Sequence, residues 1–494
     1  MTGKYFLYAI ATLSVVACSD SYEDTVNTYT DPNAIYVNGE EYNPVSLGIS
    51  SASDIVSVSS KGTGTVGDTE ESGKNSWNGE VIRVYMFNKG TLTPSSVSAW
   101  SAVGSELYED ESASTYYNTE VVTPKPTDDT PIPTGIANRK DNKVCYYPLR
   151  GASDFWGYYL DDADVVLDEE GNKTVDEEGN FVRNAPVVDG EQMYVPFQID
   201  GTQDILTGQT LEKDDPGNTS FYIDKGVQAS ELYSAKAARH DVQPTLKFRH
   251  KLARLTFTAR AMFAEDGVNN TEVIPVSKVT ASDEVHKMAI ADAGGDEYGN
   301  VNGGVYFDSI FVYSKNKGRL YFAYTDKADL HNGRNNQRIE WDVDSKGDAI
   351  KGWLKLFAKP DKDAANQNTV KMAGVQPNDV EPTKVGDAIL VAPQDDYEFR
   401  IVMHQYVKQF SDEYYNIHPN VPVRYTARKI VYPAFDNAPY AIPLAEELAK
   451  QGVESVVGGT SYNIELGVAG LKMVILKTTL EPWVEGGEIE KNLD

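Results

Sequence analysis

Cys18 is the residue whose neighbours point most directly to chemistry. It follows Val15-Val16-Ala17, which closes an apolar stretch of 12 residues from Tyr5 to Val16 with Lys4 ahead of it. That is the layout of a secretory signal. Small residues before a cysteine resemble a bacterial lipobox, in which a peptidase cuts ahead of the cysteine and Cys18 then carries a lipid. Twelve apolar residues are too few for a permanent bilayer-spanning helix. With Cys18 acylated, Cys145 is the only remaining thiol. An intrachain disulfide and a cysteine zinc site are then both excluded, and stability must come from packing.

Other chemistry is scarce. The chain has no Gly-x-Ser-x-Gly elbow, no His-Glu-x-x-His helix, no P-loop and no strand-linked Gly-x-Gly-x-x-Gly. Its six histidines show no metal-ligand spacing, and His250, alternating with Phe248 and Leu252, reads as a satisfied sheet histidine. Asp168-Glu-Glu-Gly-Asn172 recurs as Asp176-Glu-Glu-Gly-Asn180, and Asp342-Val-Asp344-Ser-Lys346-Gly347-Asp348 opens like a calcium loop. The first two lack the alternating ligands of an oxygen cage, and the third carries Lys346 and Trp353 where ligands belong. All three read as turns, the first two as small hairpins projecting from the body. No cofactor and no metal are expected. Paired carboxylates for glycoside hydrolysis stay open among 74 acidic residues, because the separation that counts is spatial. The cluster Tyr146, Tyr147, Phe155, Trp156, Tyr158 and Tyr159 suits a sheet core better than a sugar platform.

The elements that must position these residues are strands. With 45 basic and 74 acidic side chains the chain carries −29, which opposes binding to nucleic acid. Thirty Tyr, 39 Gly and 23 Pro, with 40% hydrophobic residues, suit half-buried sheets joined by turns. Period-2 alternation appears in Val45, Leu47 and Ile49, and again from Ile55 to Ser59, with Val58 in that run. Glu80–Phe87, Phe155–Leu160, Met193–Ile199, Thr245–Ala259 and Leu471–Leu480 continue the series. Pro148 and Pro196 predict sheet edges or bends. Short helices are expected at Ser230–Asp241 and Pro443–Gly452. The predicted division is a signal at 1–17, a tether at 18–33, an N-terminal β domain at 34–235 and a C-terminal β domain at 236–494.

Five segments in order carry a family resemblance: Trp77–Phe87, Tyr146–Leu149 with Asp154–Tyr159, Ile199–Leu206, Phe248–Leu255, and a last strand before Pro482-Trp483. Together with the lipobox they resemble the fimbrillin family of Bacteroidetes, the subunits of type V pili. The resemblance implies an all-β chain of two tandem transthyretin-like sandwiches, with short helices in loops. It also implies a non-enzymatic lipoprotein precursor (palmitate on Cys18) at the outer membrane and cell surface, polymerising with like or unlike fimbrial subunits and able to meet a host or bacterial surface ligand. In that family a protease cuts after a basic residue and removes the first strand, here carrying Val45, Leu47, Ile49, Ile55 and Val58. Lys61 is the matching position and Lys74 the second candidate; the first arginine, Arg83, falls inside a predicted strand. A neighbour's C-terminal strand fills the groove, and Leu471, Met473 and Ile475 provide one set with the right alternation. The opposite face of that segment, Val474, Leu476 and Leu480, is also apolar, as in an internal strand. A tail unfit to donate would make this a tip or terminal adhesin. The rival reading is a surface glycan-binding lipoprotein of a polysaccharide-uptake system, which needs an exposed platform at Trp156.

Overall fold

The computed structural model describes residues 34–37, 39–49, 77, 79–93, 118–123, 135–139, 146–210, 225–261, 277–278, 300–301, 305–325, 337–356, 374–375, 381–386, 388–394, 397–408, 410, 412–421, 425–432, 440–442, 449, 455–469 and 472–481. The architecture is all-β, with two short α-helices, Ala235–Arg239 and Asp412–Ile417, among the described residues.

Seven strands close into a barrel in the order Leu206–Thr210, Thr245–His250, Leu47–Ile49, Gly135–Arg139, Asn118–Val122, Val81–Asn88 and Ser153–Tyr159, the last pairing back on the first. The Val81–Asn88 strand shows why these residues fold this way. Alternate side chains point to opposite faces. Ile82, Val84 and Met86 enter the barrel core, whereas Tyr85 and Phe87 face a second core outside it. Ser153–Tyr159 divides likewise, with Phe155 inward and Trp156 and Tyr158 outward. Both strands are apolar on both faces because each separates two cores.

The second core lies between two larger sheets. Ala253–Ala261 pairs with Ser461–Ala469, which pairs with Lys472–Glu481; Val305–Lys315 lies between Lys351–Lys355 and Tyr397–Lys408, and the latter pairs with Tyr425–Tyr432. Phe257 meets Phe399 edge-on across these sheets with ring centroids 5.7 Å apart. Another sheet runs Arg338–Trp341, Lys317–Tyr324, Gln192–Gln198, Val187–Asp189. It brings Phe322 to 5.0 Å from Tyr85 and Tyr324 to 4.6 Å from Trp156, joining the barrel's outer face to the second core.

Strand pairing crosses residue 235 in both directions. Gln192–Gln198 is paired with Lys317–Tyr324, and Thr245–His250 belongs to the barrel. The Ser230–Asp241 segment divides into a 3-10 turn at Ala229–Glu231 and the helix Ala235–Arg239, because Tyr233 adopts φ 59° between them. Ser234 caps the helix by accepting from Ala237 N–H. The expected helix at 443–452 lies almost wholly outside the described residues, and Asp412–Ile417 is a helix that the sequence pattern did not suggest.

Candidate functional site: the strand that closes the barrel

Among the described residues the closing strand is the shortest in the barrel, Leu47-Gly48-Ile49. On one side it runs parallel to Thr245–His250 through two residue pairs, Gly48 with Thr245 and Ile49 with Leu246. On the other it is antiparallel to Gly135–Arg139, with Leu47 opposite Ala137. Its entry is pinned by a bridge between Pro44 and Tyr146 and by Tyr147 N–H donating to Asn43 O at 2.9 Å. Leu47 is buried in the barrel core, and half-buried Val45 packs against the same core.

The floor beneath this strand is aromatic. Gly157 and Gly208 face each other across paired strands, and a Cβ on either would lie within 2.9 Å of the Phe248 ring. The two glycines therefore make the recess that Phe248 fills. Trp77, fully buried, meets Phe248 edge-on at 5.1 Å and Tyr159 at 6.2 Å. Trp77 follows both Lys61 and Lys74 in sequence, so a cut at either lysine separates the closing strand from the rest while leaving Trp77 on the larger fragment.

Where Thr245–His250 leaves the barrel it meets a buried polar cluster. His250 Nδ1 lies 2.9 Å from Asp204 Oδ2, with both side chains fully buried, so this nitrogen of the sheet histidine is partnered, and Asp204 is the partner the sequence did not reveal. Lys251 donates to Gln337 O at 2.9 Å, and burial, with Arg249 nearby, lowers its ammonium to about 8. Gln337 Nε2 in turn donates to Gly208 O and Phe322 O, tying the barrel to the neighbouring sheet. Asp161 accepts from Tyr159 Oη at 2.9 Å, yet burial, with Asp204 adding repulsion, pushes its carboxyl up to about 7. It lines a cleft of about 290 Å³ whose other charges are paired within it: Arg83 with Glu120, and Arg183 with Asp162 and Asp164.

The acidic repeats are turns. Asp168 Oδ1 accepts from the backbone N–H of Glu170 and Asn172, Asp176 Oδ1 from Asn180, and Asp344 Oδ1 from Lys346 and Asp348. These bonds hold the exposed Asp168 carboxyl below its usual range. Asp168, Asp176 and Asp344 each organise their own loop.

Among the other sequence-derived positions, Ile49 lies in the closing strand, and Met473 and Ile475 lie in Lys472–Glu481, opposite Val468 and Leu466. That strand pairs with Ser461–Ala469 on one flank and ends its sheet among the described residues. Cys18, Ile55, Val58, Lys61, Lys74 and Leu471 lie outside the described residues. The proposed sugar platform is a correction: Trp156 is 7% exposed and packs against Tyr324, because its face of the strand belongs to the second core. Trp77 is the important residue whose role the sequence did not announce.

No family model matches the chain, and no curated protein matches it. Among solved structures it is similar to a candidate cell adhesion protein from Bacteroides ovatus, at 11% identity and TM-score 0.34, covering 90% of this chain and 99% of that one. A second candidate cell adhesion protein, from Parabacteroides distasonis, matches at 10% identity and TM-score 0.34 over 88% of this chain and 91% of that one. The fimbrial anchor protein Mfa2 from Porphyromonas gingivalis matches at 9% identity and TM-score 0.23 over 89% of this chain and 98% of that one.

Proposed function

We propose that the chain is a non-enzymatic fimbrial or cell-surface adhesion subunit, anchored to the outer membrane through acylated Cys18 and assembled with other fimbrial subunits by strand exchange. In this reading the barrel and the second core correspond to the two transthyretin-like units. The observation that carries it is the closing strand: its three described residues, held on the parallel side by two residue pairs among the described residues, complete the barrel and bury Leu47 in its core. A cut after Lys61, or after Lys74, frees that strand. The opening then leaves unpaired edges on Thr245–His250 and Gly135–Arg139 and uncovers apolar side chains, which water disfavours and an incoming strand satisfies. Trp77 on the retained fragment keeps the floor of the groove in place. Of the donor set, Met473 and Ile475 lie in Lys472–Glu481, which ends its sheet among the described residues, and their alternation, continued by Leu471 in sequence, suits a pleated groove.

The test is to produce residues 62–494 and the uncut chain separately and compare thermal midpoint and mass in solution. The expected outcome is a lower midpoint for the truncated chain together with oligomers, both reversed by a synthetic peptide of residues 43–51. If truncation alters neither stability nor mass, strand exchange is not the mechanism.

A further inference from the structure

A sheet edge also occurs away from the barrel's own ladder, in the sheet that runs from Arg338–Trp341 to Val187–Asp189. Val187–Asp189 ends the sheet it shares with Gln192–Gln198, pairing with Gln192–Tyr194 on one flank; the opposite flank carries no strand among the described residues. All three side chains are exposed, with Val187 at 40% and Val188 at 37%. In an antiparallel ladder alternate residues turn their N–H and C=O groups outward, so a terminal strand offers main-chain hydrogen bonds to an extended chain.

The chain leading into this edge sets the chemistry of what fits it. The two projecting hairpins hydrogen-bond in a cycle: Val166 N–H donates to Val182 O, Val182 N–H to Thr174 O, and Thr174 N–H to Val166 O. They expose Val175, Phe181 and Val182. From Asp164 to Glu191 there are nine acidic and two basic side chains. The two basic ones are engaged locally, Arg183 with Asp162 and Asp164, and Lys173 with Asp162 and the Phe181 ring. Asp168, Glu169, Glu170, Asp176, Glu177 and Glu178 are all exposed. A second copy of this chain, itself at −29, is repelled by such a surface, whereas a cationic segment is attracted.

We infer that the Val187–Asp189 edge and its acidic hairpins form a docking surface for an extended segment of another protein in which basic and apolar residues alternate. The main chain extends the sheet, the apolar residues lie beside Val187 or Val188, and the basic ones meet the hairpin carboxylates. This goes beyond the strand-exchange reading and is tested on the uncut chain, so either can fail alone.

The probe is a fluorescein-labelled peptide, Lys-Val-Lys-Val-Lys-Val, with Glu-Val-Glu-Val-Glu-Val as control. Titration into the uncut chain is followed by anisotropy, and hydrogen exchange locates the site. The expected result is binding of the Lys peptide only, weakening as salt rises, with new amide protection confined to Val187–Asp189. The combined change E169Q/E170Q/E177Q/E178Q is expected to weaken binding at least tenfold with the circular dichroism spectrum unchanged, and Val188→Pro to abolish the new protection. Absence of Lys-peptide binding, protection elsewhere, equal affinity for the Glu peptide, or dimerisation of the chain through this edge would each overturn the inference.

Discussion

The two cores each contain a parallel strand pair, and the pairs differ in length. In the second core Ala253–Ala261 runs beside Ser461–Ala469 through eight residue pairs, from Arg254 opposite Ser461 to Ala261 opposite Val468. In the barrel the parallel contact has two pairs among the described residues, Thr245 with Gly48 and Leu246 with Ile49. Hydrogen bonds and cross-strand contacts accumulate along a ladder, so the second core is fastened along its length while the barrel is closed by a clasp. The lesson is that, along the described residues, the barrel strand nearest the chain's beginning is held through fewer parallel pairs than its counterpart in the second core.

The strongest way to break this contrast is at the barrel floor. Trp77→Ala removes a fully buried indole against Phe248 and is expected to cost about 3–5 kcal/mol. Because Tyr85 and Trp156 tie the barrel to the second core, calorimetry should record one broad loss of stability rather than an isolated barrel transition. A smaller effect is expected for Leu47→Ala, about 2 kcal/mol, at the low end for a buried leucine because a strand held by two parallel pairs can shift to fill the space. The same substitution is expected to increase exposure of the 50–76 segment to trypsin, read by the rate of appearance of the cut chain.

Gly208→Ala sharpens the comparison from the other side. Its new methyl would lie 2.8 Å from the Phe248 ring, and overpacking of this kind is expected to cost about 1.5 kcal/mol in urea titration. A different kind of effect is a pH slope at the cleft. Folded Asp161 titrates near 7 against 3.8 for the ordinary carboxyl, so between those values the folded chain holds a proton that the unfolded chain has released. Its contribution therefore falls as pH rises from about 4 to 7 and is level above, with a slope of at most about 1.4 kcal/mol per pH unit. Asp161→Asn is expected to remove that component, so that its urea midpoint gains on the parent between pH 5 and pH 7.5. A constant difference would show that Asp161 titrates normally.

Sequence legibility followed the range of the interactions. The Glu80–Phe87 pattern located the Val81–Asn88 strand to within a residue, because inward Ile82 and Val84 and outward Tyr85 and Phe87 are all local facts. The Asp168 and Asp176 turns were equally legible, since each carboxylate bonds a backbone N–H within four residues of itself. Pro196 lies not in an edge strand but in an inner one, past the last pair with Val187–Asp189: Arg319 is opposite it on one flank, and on the other its carbonyl accepts from the Asn184 side chain. What stayed hidden was long-range. Nothing in Leu47-Gly48-Ile49 names a parallel partner at Thr245-Leu246, about 200 residues away. The burial of Trp156 against Tyr324 also required knowing that its strand separates two cores, and His250 gave no sign that Asp204 would meet it.

Amide hydrogen exchange on the uncut chain, resolved by residue, tests the clasp most directly. The prediction is that Gly48 and Ile49 exchange through local opening, at least about tenfold faster than Phe257 and Thr258 in the long parallel pair, which should exchange only with global unfolding. Equal protection of the two pairs, with both tracking global stability, would contradict a separable closing strand.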